Sequence, residues 1–207
     1  MIAIVDYKAG NLTSVKLAFE AIGVEAIITD HWETILQADR VVFPGVGAAG
    51  ASMQNLSKSG LINVLRTVVV RGTPFLGICV GMQVLFERSE EDGGTPTLGF
   101  IPGAVKLFHP VNPADKVPQI GWNAVRFRRS HPVFAGVEDE TEFYFVHSYY
   151  PTTVYPCDSV GMTDYAGVEF TSIVGRGNLV ATQFHIEKSG RVGLKVFENF
   201  IRWDGKC

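Results

Sequence analysis

Over the first ninety residues the chain alternates between short apolar runs and longer stretches in which apolar residues recur every three or four positions. Residues 2–5, 25–28, 40–43 and 74–79 are rich in β-branched and aromatic side chains, which predicts strands. Between them Leu12, Val15, Phe19 and Ile22 share one helical face, with Asn11 as the predicted cap. Residues 32–36 predict a short helix, Met53 and Leu56 mark another, and residues 61–71 form a fourth that Gly72 closes. Strands separated by helices define an α/β chain with a mainly parallel open sheet and helices on both faces. The polar, glycine-rich segment 90–96 ends this regime. Beyond it, residues 105–108, 124–128, 143–150, 160–165, 169–174 and 179–184 predict strands. Gly167 and the Gly175-Arg-Gly-Asn178 segment supply hairpin turns, and a helix carrying Val192, Val196, Phe197, Phe200 and Ile201 follows. No linker or repeat interrupts the pattern. Residues 1–207 are therefore expected to form one domain, with the later strands joining the first sheet as antiparallel additions.

Composition narrows the partners. Charged residues make up 19% of the 207 and the net charge is -3, so neither a basic face for nucleic acid nor an acidic tail is expected. Cys79, Cys157 and Cys207 are an odd set without CxxC spacing, which argues against a disulfide framework and a structural zinc site. With no basic segment at the start and no apolar stretch long enough to span a bilayer, the expectation is a cytoplasmic protein with no membrane association.

The candidate chemistry centres on Pro74-Phe-Leu-Gly-Ile-Cys-Val-Gly-Met-Gln83. It reads as strand, sharp turn and helix, with the thiol at the turn, and Met82, Leu85 and Phe86 continue at helical spacing. Gly77 and Gly81 permit close approach of neighbouring backbone or a positive φ. A helix N-terminus there favours the thiolate of Cys79 and leaves the Val80 N–H free for a developing oxyanion. The plainer alternative is that Cys79 is a small buried hydrophobe.

Two distant segments weigh on that choice. Gly45-Val-Gly47-Ala-Ala-Gly50 matches the dinucleotide pattern GxGxxG, but it follows the third strand and not the first. It also lacks an acidic residue about 20 positions on. A plain glycine turn, or a turn that brings backbone N–H groups to a reacting carbonyl, fits better. His185 and Glu187 stand two apart, so in extended backbone they leave the same face and the carboxylate can orient the imidazole. Thiol, base and orienting acid are the parts of a covalent acyl transfer. His147, within an aromatic alternation, reads as core. Trp122, beside Gly121, reads as an exposed turn residue and a candidate partner surface, with ordinary packing the alternative.

With Gly77-Ile-Cys-Val-Gly-Met-Gln83 and Gln183-Phe-His-Ile-Glu-Lys-Ser189 in place, the chain resembles the class I glutamine amidotransferases. Pro44-Gly-Val-Gly47, Phe86-Glu-Arg-Ser-Glu-Glu91, Gln119-Ile-Gly-Trp-Asn123 and Val146-His-Ser-Tyr149 narrow the resemblance to the glutaminase subunits that serve a barrel-shaped cyclase in histidine biosynthesis. The resemblance implies that Cys79 attacks the side-chain amide carbon of L-glutamine, His185 shuttles the proton and Glu187 orients His185. It implies an oxyanion hole from the N–H groups of Val80 and of the 45–47 turn, Val46 or Gly47. Gly45, Gln83, Glu91, Ser148 and Tyr149 match substrate-binding positions, and Trp122, Asn123 and Lys188 match positions facing the cyclase subunit of a heterodimer. No metal or cofactor is implied, and the glutaminase is expected to be slow without its partner. Two positions depart from the family: Ile186 replaces a usual proline and Lys8 a usual glycine, the latter weakening a partner-facing role for residues 8–11. A glutaminase serving another synthase, such as pyridoxal phosphate synthase, a silent docking subunit and a redox-sensing thiol protein are the rival readings.

Overall fold

The computed structural model of the chain describes residues 1–8 and 10–206. In order, the elements are β1 (Ile2–Val5), α1 (Leu12–Ala21), β2 (Ala26–Thr29), α2 (Trp32–Gln37), β3 (Arg40–Gly45), α3 (Ala49–Lys58), α4 (Leu61–Val70), β4 (Phe75–Cys79) and α5 (Val80–Gln83). There follow β5 (Arg88–Ser89), β6 (Thr95–Pro96), β7 (Gly103–Leu107), β8 (Gln119–Phe127), β9 (Thr141–His147), β10 (Tyr149–Thr153), β11 (Ser159–Tyr165), β12 (Val168–Arg176), β13 (Leu179–Thr182) and α6 (Gly190–Arg202). The large sheet runs β2-β1-β3-β4-β13-β12-β11-β8-β9. Its β2, β1, β3, β4 and β13 pair in parallel, whereas β12, β11, β8 and β9 add antiparallel. The α/β class with antiparallel additions is thus the architecture observed, but the sheet is mixed and not mainly parallel: among the described residues its four parallel pairings are matched by four antiparallel ones, and β5, β6, β7 and β10 form a second sheet and do not join the first. Every residue of β1, β4 and β13 is buried, as strands covered by helices on both faces require.

Three further features differ from the sequence expectation. The elbow helix α5 is a single turn, because the chain after Gln83 bends away to β5, so Leu85 and Phe86 are buried in a turn and not along a helix. Residues 143–150 are two strands. β9 pairs with β8 in the large sheet, whereas β10 crosses at Ser148 to pair with β7 in a second sheet of order β10-β7-β5-β6. Gln119-Ile-Gly-Trp-Asn123 is strand and not turn: Gly121 takes φ 136° inside β8. The hairpin at Gly167 is as expected, with Ala166 and Gly167 at φ 52° and 77°, the two positive angles of a tight hairpin turn.

The core lies between the large sheet and its helices. Phe19 meets Phe197 with ring centroids 4.5 Å apart, joining α1 to α6, and Phe143 stacks on Phe184 at 4.1 Å. Each such fully buried side chain contributes roughly 2–3 kcal/mol of transfer free energy. Backbone pairing keeps the carboxyl ends of β3, β4 and β13 in register, and that is where open parallel sheets place their sites.

Candidate active site

Parallel pairing sets Gly45 beside Cys79 and Thr182 beside Ile78, so three strand ends converge. Cys79 closes β4 with φ 55° and ψ -115°, a strained backbone for a residue with a Cβ. The strain falls on Cys79 itself, and the glycines serve close approach. A Cβ on Gly81 would lie 1.9 Å from the Phe43 carbonyl oxygen, and one on Gly45 would lie 2.3 Å from the Tyr7 hydroxyl and 2.8 Å from the Gly81 nitrogen. Gly47 takes φ 89°, which turns the chain from β3 toward α3. The thiol is buried, with Cys79 only 3% exposed, and contacts the Val146 carbonyl oxygen at 3.9 Å.

His185 follows β13 and leads into one 3-10 turn, Ile186–Lys188. Its Nδ1 lies 2.6 Å from Glu187 Oε1, with the two side chains 2% and 0% exposed. A carboxylate accepts, so Nδ1 carries a hydrogen and Nε2 is the atom left for proton transfer. Nε2 is buried with no hydrogen-bond partner among the described residues. Burial pushes the imidazole down, but the interactions with Cys79 and Glu187 outweigh it and raise the group to about 10. Glu187 Oε1 also accepts from Asn11 Nδ2. Asn11 is therefore not a side-chain cap of α1: at φ 73° it turns its amide onto the acid of the dyad. The sequence shows only its helix-capping chemistry, since the 176 residues to Glu187 are closed by tertiary structure.

A cavity of about 270 Å³ opens onto the thiol, lined by Val46, Gly47, Cys79, Val80, Gln83, Glu91, Pro118, Val146, His147, Ser148, Tyr149 and His185. The residues assigned to substrate and oxyanion binding thus gather around one cavity, apart from Gly45, which lies in register with Cys79. Gln83 is buried and donates from Nε2 to the Tyr149 carbonyl oxygen and to Gln183 Oε1, both at 2.9 Å. Glu91 Oε2 accepts from the Ala49 N–H at 2.7 Å, capping α3, whose own N-cap, Ala48, offers no side-chain acceptor. Burial raises the Glu91 carboxyl, the Ala49 N–H lowers it and the Asp92 charge raises it, with a net shift upward.

His147 is buried among Phe108, Phe145 and Phe170, as its aromatic context predicts. Its Nδ1 meets the Tyr149 carbonyl oxygen at 2.7 Å, and burial lowers it to about 4 against that hydrogen bond. Of the three positions matched to a partner surface, two come together. Trp122, 53% exposed, stands edge-on to Tyr144, and the Lys188 ammonium lies 5.9 Å from the same ring. Asn123 turns away, donating to the Asp164 carbonyl oxygen at 2.9 Å. Lys8 takes φ 64°, which explains why glycine suits its position; its ammonium pairs with Asp6 and Asp30. Position 9 of that loop and Cys207 lie outside the described residues, and Cys157 is exposed. Among the described residues no helix is long and apolar enough to cross a membrane.

A thiol at a strand-to-helix turn and a carboxylate-held histidine, lining one cavity at the carboxyl end of parallel strands, are an arrangement suited to acyl transfer. Residues 3–203 match the class-I glutamine amidotransferase family, and the chain belongs to it. It is 48% identical to the imidazole glycerol phosphate synthase subunit HisH of Dehalococcoides mccartyi strain CBDB1, over 98% of this chain and 97% of that one. It is 46% identical to the protein of the same name from Methanocaldococcus jannaschii, over 97% and 98%. The fold is shared with PurLQS from Thermotoga maritima, at TM-score 0.74 and 18% identity, covering 97% of each chain. It is shared too with the Trypanosoma brucei CTPS glutaminase domain, at TM-score 0.62 and 16% identity, covering 100% of this chain and 97% of that one.

Proposed function

We propose that the chain is the glutaminase subunit of an imidazole glycerol phosphate synthase. It hydrolyses L-glutamine to L-glutamate and ammonia and passes the ammonia to a cyclase subunit in a heterodimer, in the histidine pathway. The observation that carries the reading is Cys79, strained at the end of β4, lining one cavity with a His185 whose Nδ1 is held by Glu187 at 2.6 Å. Kinship at 48% identity over nearly the full length of a HisH subunit supports the choice of partner.

In this reading the Cys79 thiol passes its proton to His185 Nε2, the sulfur attacks the amide carbon of glutamine, and the C–O double bond opens to an oxyanion. The Val80 N–H and that of Val46 or Gly47 hold that charge. His185 gives its Nε2 proton to the amide nitrogen, the C–N bond breaks and ammonia leaves a thioester. Water then attacks the thioester carbon, losing a proton to His185, and glutamate departs as the sulfur is released. Gly45, Gln83, Glu91, Ser148 and Tyr149 hold the rest of the substrate, and Trp122, Asn123 and Lys188 face the cyclase. The chain acts as one glutamine amidotransferase domain in the cytoplasm, without metal or cofactor. Its test is glutamate release with and without the cyclase and its nucleotide. Release is expected to rise on addition of both and to vanish in Cys79→Ala. Equal rates would remove the partner dependence, and full activity in the variant would remove the mechanism.

A further inference from the structure

The register that joins β13 to β4 brings one more side chain to the nucleophile. Thr182 pairs with Ile78, so the next residue of each chain, Gln183 and Cys79, leave the sheet side by side. Gln183 is 0% exposed. Its Nε2 donates to Cys79 Sγ at 3.8 Å, and its Oε1 accepts from Gln83 Nε2 at 2.9 Å. Gln83 Nε2 also donates to the Tyr149 carbonyl oxygen at 2.9 Å, and His147 Nδ1 reaches the same oxygen at 2.7 Å.

These contacts determine which way both amides point. A backbone carbonyl only accepts, so the Gln83 atom against Tyr149 is the amide nitrogen. That nitrogen also meets Gln183, which must present its oxygen there. The Gln183 N–H groups are left facing the sulfur. An N–H directed at sulfur is a weak contact for a thiol and a charge-assisted one for a thiolate.

We propose that Gln183 is a positioning residue for Cys79. Anchored in one amide orientation through Gln83 by the Tyr149 carbonyl, it directs an N–H at the sulfur and favours thiolate over thiol. The same arrangement commits both Nε2 hydrogens of Gln83, so what Gln83 offers a bound substrate is its Oε1, an acceptor for an amide or ammonium group. This last point rests on the glutaminase reading, whereas the effect on the sulfur does not.

The test is the pH dependence of Cys79 alkylation by iodoacetamide in the full chain, followed on the Cys79 peptide by mass spectrometry so that Cys157 does not interfere. Gln183→Met keeps the size and removes both amide groups. Gln83→Met removes the anchor and frees the Gln183 amide to turn. Thermal unfolding midpoints identify the variants that keep the fold. In Gln183→Met the pH of half-maximal alkylation moves up by about half a unit and the rate at pH 7 falls several-fold; in Gln83→Met the shift has the same sign and is smaller. A profile that superimposes on the parent's in a folded variant overturns the proposal, because a merely structural glutamine would move the unfolding midpoint and leave the profile alone. Glutamate release by the parent, with the cyclase and its nucleotide present, is measured in parallel. No release with a shifted profile would remove the glutaminase reading and leave Gln183 its role; release with an unshifted profile would do the reverse.

Discussion

At the scale of single residues, the site depends on a few side chains whose surroundings change what they do. Glu187 is buried and holds His185 Nδ1 while accepting a second hydrogen bond from Asn11. Glu187→Gln replaces a carboxylate by an amide that can donate to Nδ1 and so favour the wrong tautomer. Glutamate release is expected to fall roughly a thousand-fold or more, with the unfolding midpoint little changed, as steady-state assay and thermal melting will show. Ile186 is 1% exposed and starts the 3-10 turn after His185, itself at φ -84° and ψ 103°. That backbone accepts proline at the following position, so the departure from the family leaves the dyad at 2.6 Å. Ile186→Pro is expected to retain activity within a few-fold and to lose about 1 kcal/mol from buried apolar area, read from urea unfolding.

At the scale of elements, the elbow depends on contact between three strand ends and a one-turn helix. Because the Phe43 carbonyl oxygen would lie 1.9 Å from a Cβ on Gly81, α5 can sit against β3 only with glycine there. Gly81→Ala is expected to destabilise the chain by roughly 2 kcal/mol or more and to abolish glutamate release, the first read from urea unfolding. The turn between α1 and β2 gives a contrast. A Cβ on Gly23, at φ 75°, would meet no atom within 4 Å, so Gly23→Ala costs only backbone strain of about 1 kcal/mol and leaves activity intact.

At the scale of the whole molecule, buried histidines give stability a pH optimum. Burial lowers His131 and His147 from an ordinary 6.5 to about 4, with the Arg129 charge adding to the effect at His131. Between pH 6.5 and 4 the unfolded chain binds protons that the folded chain refuses, so stability falls as pH falls through this window. Each histidine accounts for roughly 3 kcal/mol. His185 acts in the opposite direction: raised to about 10, it contributes stability that is complete below 6.5 and is lost as pH rises toward 10. The unfolding midpoint is expected to peak near about pH 6.5 and to drop by on the order of 10 °C by about pH 4, measured by calorimetry across the range. In His147→Phe the acid limb should become shallower.

Periodicity and glycine placement in the sequence determine the α/β class, the strand-helix order of the first half, the turn at Cys79 and the pairing of His185 with Glu187, since all of these are local. His185 and Glu187 do pair, but not through the extended-chain spacing that singles them out: Glu187 lies in the 3-10 turn Ile186–Lys188, and that local turn brings its carboxylate to His185 Nδ1. What depends on which strands become neighbours was decided by tertiary structure. The split of residues 143–150 between two sheets follows from the crossing at Ser148, which no alternation of aromatic residues encodes. Gly121 reads as a turn and lies inside β8, because glycine, without a Cβ, can hold φ 136° while paired with Phe145. Asn11 reads as a cap and holds Glu187; Gln183 reads as one letter of a motif and reaches the sulfur. Both act across more than a hundred residues, over distances that only the packed sheet closes.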